Sequence, residues 1–315
     1  MIEGSPTFIP MDAVVFGNAT LDILCRTVDE VPRYDSIAFE QVIVAPGGCG
    51  SNVAIGLQSC GVQTTLVACV GDDDAAMLAR RYWERVGIDM RYVRAVPDRP
   101  TGTSVGLIDS FSQPRFIHTS GANTLLTADA LLLDEMAGLG VRTIHVGGFF
   151  VLPGLLDGRL PEVLSHASEL GMHISLDVVR SPRMNDPSPL WPCMPYLDVF
   201  LCNDEEARRL SGEAEPDRAA RALNSRGSQS VIVKLGALGC WLESADYSAR
   251  IPGEQVDVID TTGAGDAFAA GLIAALMHGD DLPAACRAAN VAGARMVGTL
   301  GAVSGWLSQT NSKSA

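Results

Sequence analysis

The residues with the clearest capacity for chemistry form one short run, Asp260-Thr261-Thr262-Gly263-Ala264-Gly265-Asp266, followed by the apolar Ala267-Phe268-Ala269-Ala270-Gly271. Gly263, Ala264 and Gly265 carry little or no side chain, so their amides can approach a ligand closely. If they open the helix that the following residues announce, their unpaired N–H groups and the positive end of the helix dipole make an anion site. Asp266 conflicts with such a site, because a carboxylate repels the anion that the amides attract. An acid in a first helical turn ordinarily compensates the dipole, an effect of about 0.3–1 kcal/mol. Chemistry resolves the conflict: Asp266 would take a proton from a hydroxyl that attacks a phosphoryl group held by the amides. The run is not a dinucleotide fingerprint, since Phe268 stands where a third glycine is needed. Nor is it a P-loop, since no Gly-Lys-Ser/Thr follows at the required spacing.

A second glycine cluster, Pro46-Gly47-Gly48-Cys49-Gly50-Ser51-Asn52, leads into another helix pattern. Gly47 and Gly48 can hinge a flap and bring main chain to a ligand, and Asn52 projects an amide that both donates and accepts. Taken alone, the cluster also reads as a plain helix cap.

These residues need a scaffold. Short apolar runs at 13–16, 65–69, 143–146, 173–176, 199–202 and 230–233 read as buried strands. Helical patterns at 51–59, 73–86, 127–136, 162–170 and 205–210 alternate with them, and Ala-rich helices at 261–277 and 283–297 close the chain. The alternation predicts α/β layering on a largely parallel sheet. Two stretches, 26–45 and 103–118, are β-like without accompanying helices. Within the second, 103–109 and 115–118 flank a polar turn (Ser110, Phe111, Ser112, Gln113, Pro114) and read as a hairpin. A small sheet standing off the main one is expected, where a water-excluding lid would sit. The alternative is a pair of ordinary edge strands.

With 315 residues, 47% of them apolar and 19% charged, the chain can bury a core as one large domain or one domain with an appendage. Lys and Arg number 23 against 37 Asp and Glu, a net charge of −14 that disfavours a nucleic-acid partner. A small anionic ligand stays admissible, because backbone amides bind phosphate locally. No apolar run approaches the roughly 18–20 residues that span a bilayer. The first residues, Met1, Ile2, Glu3, Gly4 and Ser5, lack the parts of a signal peptide. A cytoplasmic protein with no membrane partner is expected. The eight cysteines form no Cys-x-x-Cys pair or zinc pattern, so they read as buried reduced thiols.

Taken together, the two glycine segments resemble the ribokinase-like (PfkB) family of carbohydrate and nucleoside kinases. Gly47, Gly48 and Asn52, with Gly61 and Gly71 behind them, match its N-terminal hallmark. Asp260 through Asp266 match its Asp-Thr-x-Gly-Ala-Gly-Asp hallmark. Asn203-Asp204-Glu205-Glu206 is similar to the family's Asn-x-x-Glu element, and Lys234-Leu235-Gly236-Ala237-Leu238-Gly239 to its nucleotide-side Gly-x-x-Gly loop. The resemblance implies one kinase domain over 1–315: a three-layer α/β/α fold on a mostly parallel sheet, with a small β-sheet lid from segments near 26–46 and 98–119. It implies ATP-dependent transfer of the γ-phosphoryl group to a hydroxyl, a primary alcohol of a small sugar.

In that scheme Asp266 is the base and Gly263, Ala264 and Gly265 are the anion hole. Asn203 and Glu206 hold Mg²⁺, largely through water. Asn203, Lys234, Gly236, Gly239 and Asn290 border ATP, while Asp260, Thr262 and Gly301 contribute to a site for a monovalent cation such as K⁺. Substrate contacts come from Asn18, Asp22, Gly47, Gly48 and Asn52, an acid and amides suited to paired hydroxyls. A homodimer through the lid is also implied. One departure stands out. Ribokinases proper resemble one another in a substrate-side glutamate after the central strand, but here the stretch is His145-Val146-Gly147-Gly148-Phe149-Phe150. That argues against ribose. Phe149 and Phe150 either face a larger apolar group, such as a nucleobase, or lie in the core. His145 reads as a core residue, and Asp177 has a site's address at a strand end without an assigned role. A nucleoside kinase is the alternative within the same chemistry. A sugar- or nucleotide-binding sensor is the alternative outside it, and a carboxylate pressed against phosphate argues against that one.

Overall fold

The computed structural model describes residues 12–111 and 114–306. Ser112 and Gln113 of the expected hairpin turn, and the residues read at the N-terminus (1–5), lie outside them. The chain opens with β1 (Ala13–Gly17), β2 (Thr20–Arg26), β3 (Gln41–Gly47), α1 (Cys49–Ser59), β4 (Thr64–Gly71), α2 (Asp74–Val86) and β5 (Asp89–Val96). It continues through β6 (Gly102–Ile108), β7 (Pro114–Thr119), α3 (Leu133–Gly138), β8 (Thr143–Gly147), α4 (Leu160–Glu169), β9 (His173–Asp177) and β10 (Val199–Asn203). It ends with α5 (Asp204–Ser211), α6 (Pro216–Asn224), β11 (Ser230–Lys234), β12 (Cys240–Ser244), β13 (Ser248–Ile251), α7 (Ala264–Met277) and α8 (Leu282–Val297).

The described residues form a nine-stranded sheet in the order β13-β12-β11-β10-β9-β8-β1-β4-β5 and a four-stranded sheet in the order β3-β2-β6-β7. In the large sheet the neighbours from β11 to β5 pair in parallel, and β12 alone is reversed, pairing antiparallel with β11 and with the edge strand β13. Both faces of this sheet are covered, which is why its strands read as unbroken apolar runs. Val14 and Phe16 join one core layer with Val146, Phe149, Phe150 and Leu176, while Ala13 and Val15 join the other with Ile55, Leu66, Ala269 and Leu272. This is the three-layer α/β/α arrangement, with the small sheet standing off it as a lid.

Two expectations need correction. No continuous strand occupies 26–45: β2 starts at Thr20, β3 at Gln41, and residues 27–40 between them are irregular. That stretch is largely exposed and carries Asp29, Glu30, Pro32, Arg33 and Asp35, so it has no buried face to impose a pleat. The helix expected over 127–136 is instead a 3₁₀ turn at Ala128–Ala130 followed by the short α3. Leu131 and Leu133 are buried while Leu132 is 47% exposed, a two-residue alternation that a helix cannot satisfy.

The sequence pattern also left β5, β12, β13 and α6 unread. Elsewhere local signals set the ends: Asp73 caps α2 by accepting from Ala76 N–H at 2.9 Å, and α7 begins at Ala264 because Gly263 takes φ +76°. A side chain at Gly263 would also strike the Ala302 main chain.

Candidate active site

β1 and β8 lie side by side with Gly17 opposite Gly147. The chain leaves β1 toward β4 on one side and returns through β8 on the other, so the crevice above these strand ends is a topological switch point. Asn18 and Asp22 follow β1. Asn18 Oδ1 accepts from Cys49 N–H at 3.2 Å, bracing the start of α1, and the Asn18 carbonyl accepts from Ser51 N–H. Asp22 lies on β2 with its carboxylate over Gly47, where a side chain would collide with it. Thr20 Oγ1 donates to Asp22 Oδ1 at 2.7 Å. Burial pushes Asp22 up to about 6; the Thr20 hydroxyl opposes the rise and the nearby Asp266 carboxylate adds to it.

Asp266 sits in the first turn of α7. Asn52 Nδ2, from α1, donates to its Oδ2 at 2.7 Å. Burial raises the Asp266 pKa, against the pull of Asn52, the Lys234 charge and Cys49. Asn52 Oδ1 is buried without a partner among the described residues. α1 and α7 meet so closely because Gly56 faces Ala270: a Cβ at Gly56 would stand 2.5 Å from the Ala270 methyl. Each of these residues lies four positions beyond Asn52 and Asp266, so one helical turn of contact sets the next.

The N–H groups of Gly265 and Asp266 have no acceptor among the described residues, and that of Ala264 reaches the Thr261 carbonyl at 3.3 Å. Behind this turn the buried Asp260 accepts from Thr262 N–H at 2.9 Å, Thr262 Oγ1 at 2.7 Å and Gly301 N–H at 2.8 Å. Asp260, Thr262 and Gly301 are thus brought together, with both carboxylate oxygens occupied.

Asn203 and Glu206 form a capping box on α5: Asn203 Oδ1 accepts from Glu206 N–H at 2.9 Å and Glu206 Oε2 from Asn203 N–H at 2.7 Å. Glu206 Oε1 also accepts from Arg180 N–H. Burial raises the Glu206 pKa, opposed by Lys234 and these N–H donors. Lys234, which ends β11, places Nζ 2.6 Å from Asp177 Oδ2. Gly236 and Gly239 form the tight turn that follows. Asn290 on α8 donates through Nδ2 to the carbonyls of Ile251 and Pro252. His145 Nδ1 lies 2.9 Å from Ser175 Oγ, and burial, with Lys234 adding, pushes its pKa down to about 3, so it is neutral. Phe149 and Phe150 are fully buried, edge to face at 4.9 Å.

A family model for pfkB family carbohydrate kinases matches residues 11–309. The chain belongs to the pfkB family of carbohydrate kinases. It is 31% identical to an ATP-dependent ribose-1-phosphate kinase of Halopiger xanaduensis over 91% of this chain and 92% of that one. The ribokinase of Arabidopsis thaliana, solved with ribose and ATP, superposes with a TM-score of 0.79 at 24% identity, over 96% of this chain and 99% of that one. An E. coli protein given as a candidate ribokinase II, solved with ATP and Mg²⁺, superposes with a TM-score of 0.81 at 23% identity, over 96% and 98%. As a pfkB kinase the chain is a phosphotransferase that acts on sugar hydroxyls. One contact of this pfkB kinase escaped the sequence: the Asp177–Lys234 pair. A lysine closing an apolar strand and an aspartate closing a parallel one were the available signals.

Proposed function

We propose that the chain transfers the γ-phosphoryl group of ATP to a hydroxyl, a primary alcohol, of a small sugar, with Asp266 as general base. The observation that carries this reading is the Asn52–Asp266 pair. The amide nitrogen fixes the carboxylate, while its oxygen is a buried acceptor without a donor. A substrate hydroxyl supplies that donor and stands within reach of the base. Its oxygen bonds to the γ-phosphorus as the bond to the β-phosphate oxygen breaks, its proton passes to Asp266, and ADP leaves. The free N–H groups of Gly265 and Asp266, with Ala264 and the Gly263 turn, hold the oxygens of the moving group. Asn18, Asp22 and the Gly47-Gly48 turn hold the sugar beneath the lid, which excludes water as a competing acceptor.

The residues present fit ATP and Mg²⁺. Leu238, Val256, Val258 and Val291 expose apolar surface near Gly236, Gly239 and Asn290, as a purine requires. Asn203 and Glu206 would hold the metal through water, and Mg²⁺ when bound neutralises phosphate charge. We assign the Asp260–Thr262–Gly301 junction to a monovalent cation, met by main-chain carbonyls. We assign the apolar outer face of the lid sheet to a second copy of the chain. All eight cysteines are free thiols, which fits a reducing cytoplasm, and no helix among the described residues is long and apolar enough to cross a membrane.

Coupled ADP release across pentoses, hexoses, sugar acids, nucleosides and ribose 1-phosphate, with and without K⁺, tests the reading. The phosphorylated pentose is included because the Halopiger relative is named for it. Phe149 and Phe150 lie in the core and offer no wall to a nucleobase, so free sugars are expected to turn over faster than nucleosides. Asp266→Asn should lower kcat by about two to four orders of magnitude. Unchanged turnover in that variant would overturn the assignment. A ligand that raises Tm without any ADP release would favour a sensor.

A further inference from the structure

We propose that Lys234, held in place by Asp177, is a catalytic cation that touches the phosphoryl group in transfer, with Asp177 as its positioning residue. The inference rests on the kinase reading above and adds to it a role in the transfer step.

The two residues end β11 and β9, the strands on either side of β10, at the edge of the sheet where ligands bind. Their side chains are 14% and 5% exposed, so the ion pair is buried. A buried pair contributes little to folding, because removing two charges from water offsets most of their attraction. The surroundings add no structural reason for it. Asp177, Glu206 and Asp266 all bear on the one ammonium, and Asp177 Oδ1 is itself buried without a partner among the described residues. Burial lowers the Lys234 pKa, but these three carboxylates more than reverse that, so the amine stays charged.

An ammonium has three N–H donors, and among the described residues Asp177 Oδ2 is the acceptor for one. The first turn of α7 lies next to the ammonium. A Cβ built on Gly265 would lie 3.4 Å from Lys234 Nζ and 4.0 Å from its Cε, with no other atom within 4 Å beyond its chain neighbours and its own helix backbone. The Gly265 φ is ordinary, so neither backbone strain nor packing demands a glycine there. What the missing side chain leaves is space between a fixed cation and two unpaired N–H groups, one residue from the base. An anionic oxygen placed there meets donors on both sides.

The test uses the full chain with Mg²⁺ and the best acceptor of the panel, comparing wild type with Lys234→Met, Lys234→Arg, Asp177→Asn and the Asp177→Asn/Lys234→Met double variant. Steady-state kinetics, melting temperature, and calorimetric affinity for ATP against ADP are read for each. Lys234→Met should lower kcat about 10²–10³-fold. It should also weaken ATP about tenfold more than ADP, since only ATP carries the group the amine touches. Lys234→Arg should retain more activity than Lys234→Met. The double variant, with no unpaired charge left buried, should regain thermal stability but not kcat, a separation that a structural pair would not give. Recovery of kcat in the double variant, or a wild-type kcat and ATP-to-ADP ratio in Lys234→Met, would overturn the proposal. Absence of turnover in the wild type would sink the kinase reading, while the affinity ratio would still decide whether Lys234 meets the terminal phosphate.

Discussion

In the proposed reaction, proton acceptance by Asp266 and phosphate binding by the neighbouring amides fall within one helical turn. The carboxylate must be ionised to act, yet burial raises its pKa. The rate should therefore fall as pH drops through that raised value, above the roughly 3.9 of a free aspartate. Asn52 limits the rise by donating to the charged form. Asn52→Leu removes that donor, so the acid limb of the kcat/KM profile should move to higher pH. A limb that stays in place, or moves down, would exclude Asn52 as the partner of the base. The sequence exposed Asp266, because a lone acid among small residues contradicts its neighbours. It could not expose Asn52 as its partner, since the two lie 214 positions apart and only the packing of α1 on α7 joins them. The Asp177–Lys234 pair was hidden for a similar reason: neither residue names the other until β10 is known to lie between their strands.

The α1–α7 contact governs the site as much as any polar group in it. Gly56 and Ala270 let the helices approach, and one turn earlier that approach becomes the hydrogen bond between Asn52 and Asp266. Gly56→Val should destabilise the fold by about 1–3 kcal/mol, the range for overpacking. It should also lower kcat by parting the amide from the carboxylate. Denaturant unfolding measures the first effect and ADP release the second; loss of stability with kcat intact would show that the bond survives the shift. Element types were legible where one rule dominated, as in the buried parallel strands. They were not where local patterns competed, as at Leu131, Leu132 and Leu133, whose alternation breaks the helix expected over 127–136.

In the molecule as a whole the lid has two unlike faces. Asp22 and Leu24 share one: Asp22 feels the charge of Asp266, and Leu24 with Ile108 packs on Leu300, beside the Gly301 that binds Asp260. Ile23, Val44, Val105 and Ile117 form a cross-strand row on the other, with Val44 38% and Ile117 67% exposed. This exposed apolar row is the face assigned above to a second copy of the chain. Val44→Asp with Ile117→Asp should convert a dimer to a monomer by light scattering while leaving secondary structure intact; a monomeric wild type would refute the pairing. The composition allowed a lid and a main domain, but it could not say where the lid began. β2 starts at Thr20, between the core strand read at 13–16 and the β-like stretch read at 26–45.

The lid's register has a practical consequence. Thr20 stands opposite both Gly47 and Gly102, and Thr103 opposite Thr119, so each inserted segment leaves and re-enters the main domain at neighbouring points. Residues 20–47 and 102–119 therefore behave as two cassettes with closed ends, while Asp266, Asn52 and Lys234 all belong to the scaffold. A chimera carrying both cassettes from a relative with another acceptor should keep the scaffold's ADP-forming chemistry and adopt the donor's acceptor preference. Retention of the parent's preference in such a chimera would place selectivity in the scaffold instead.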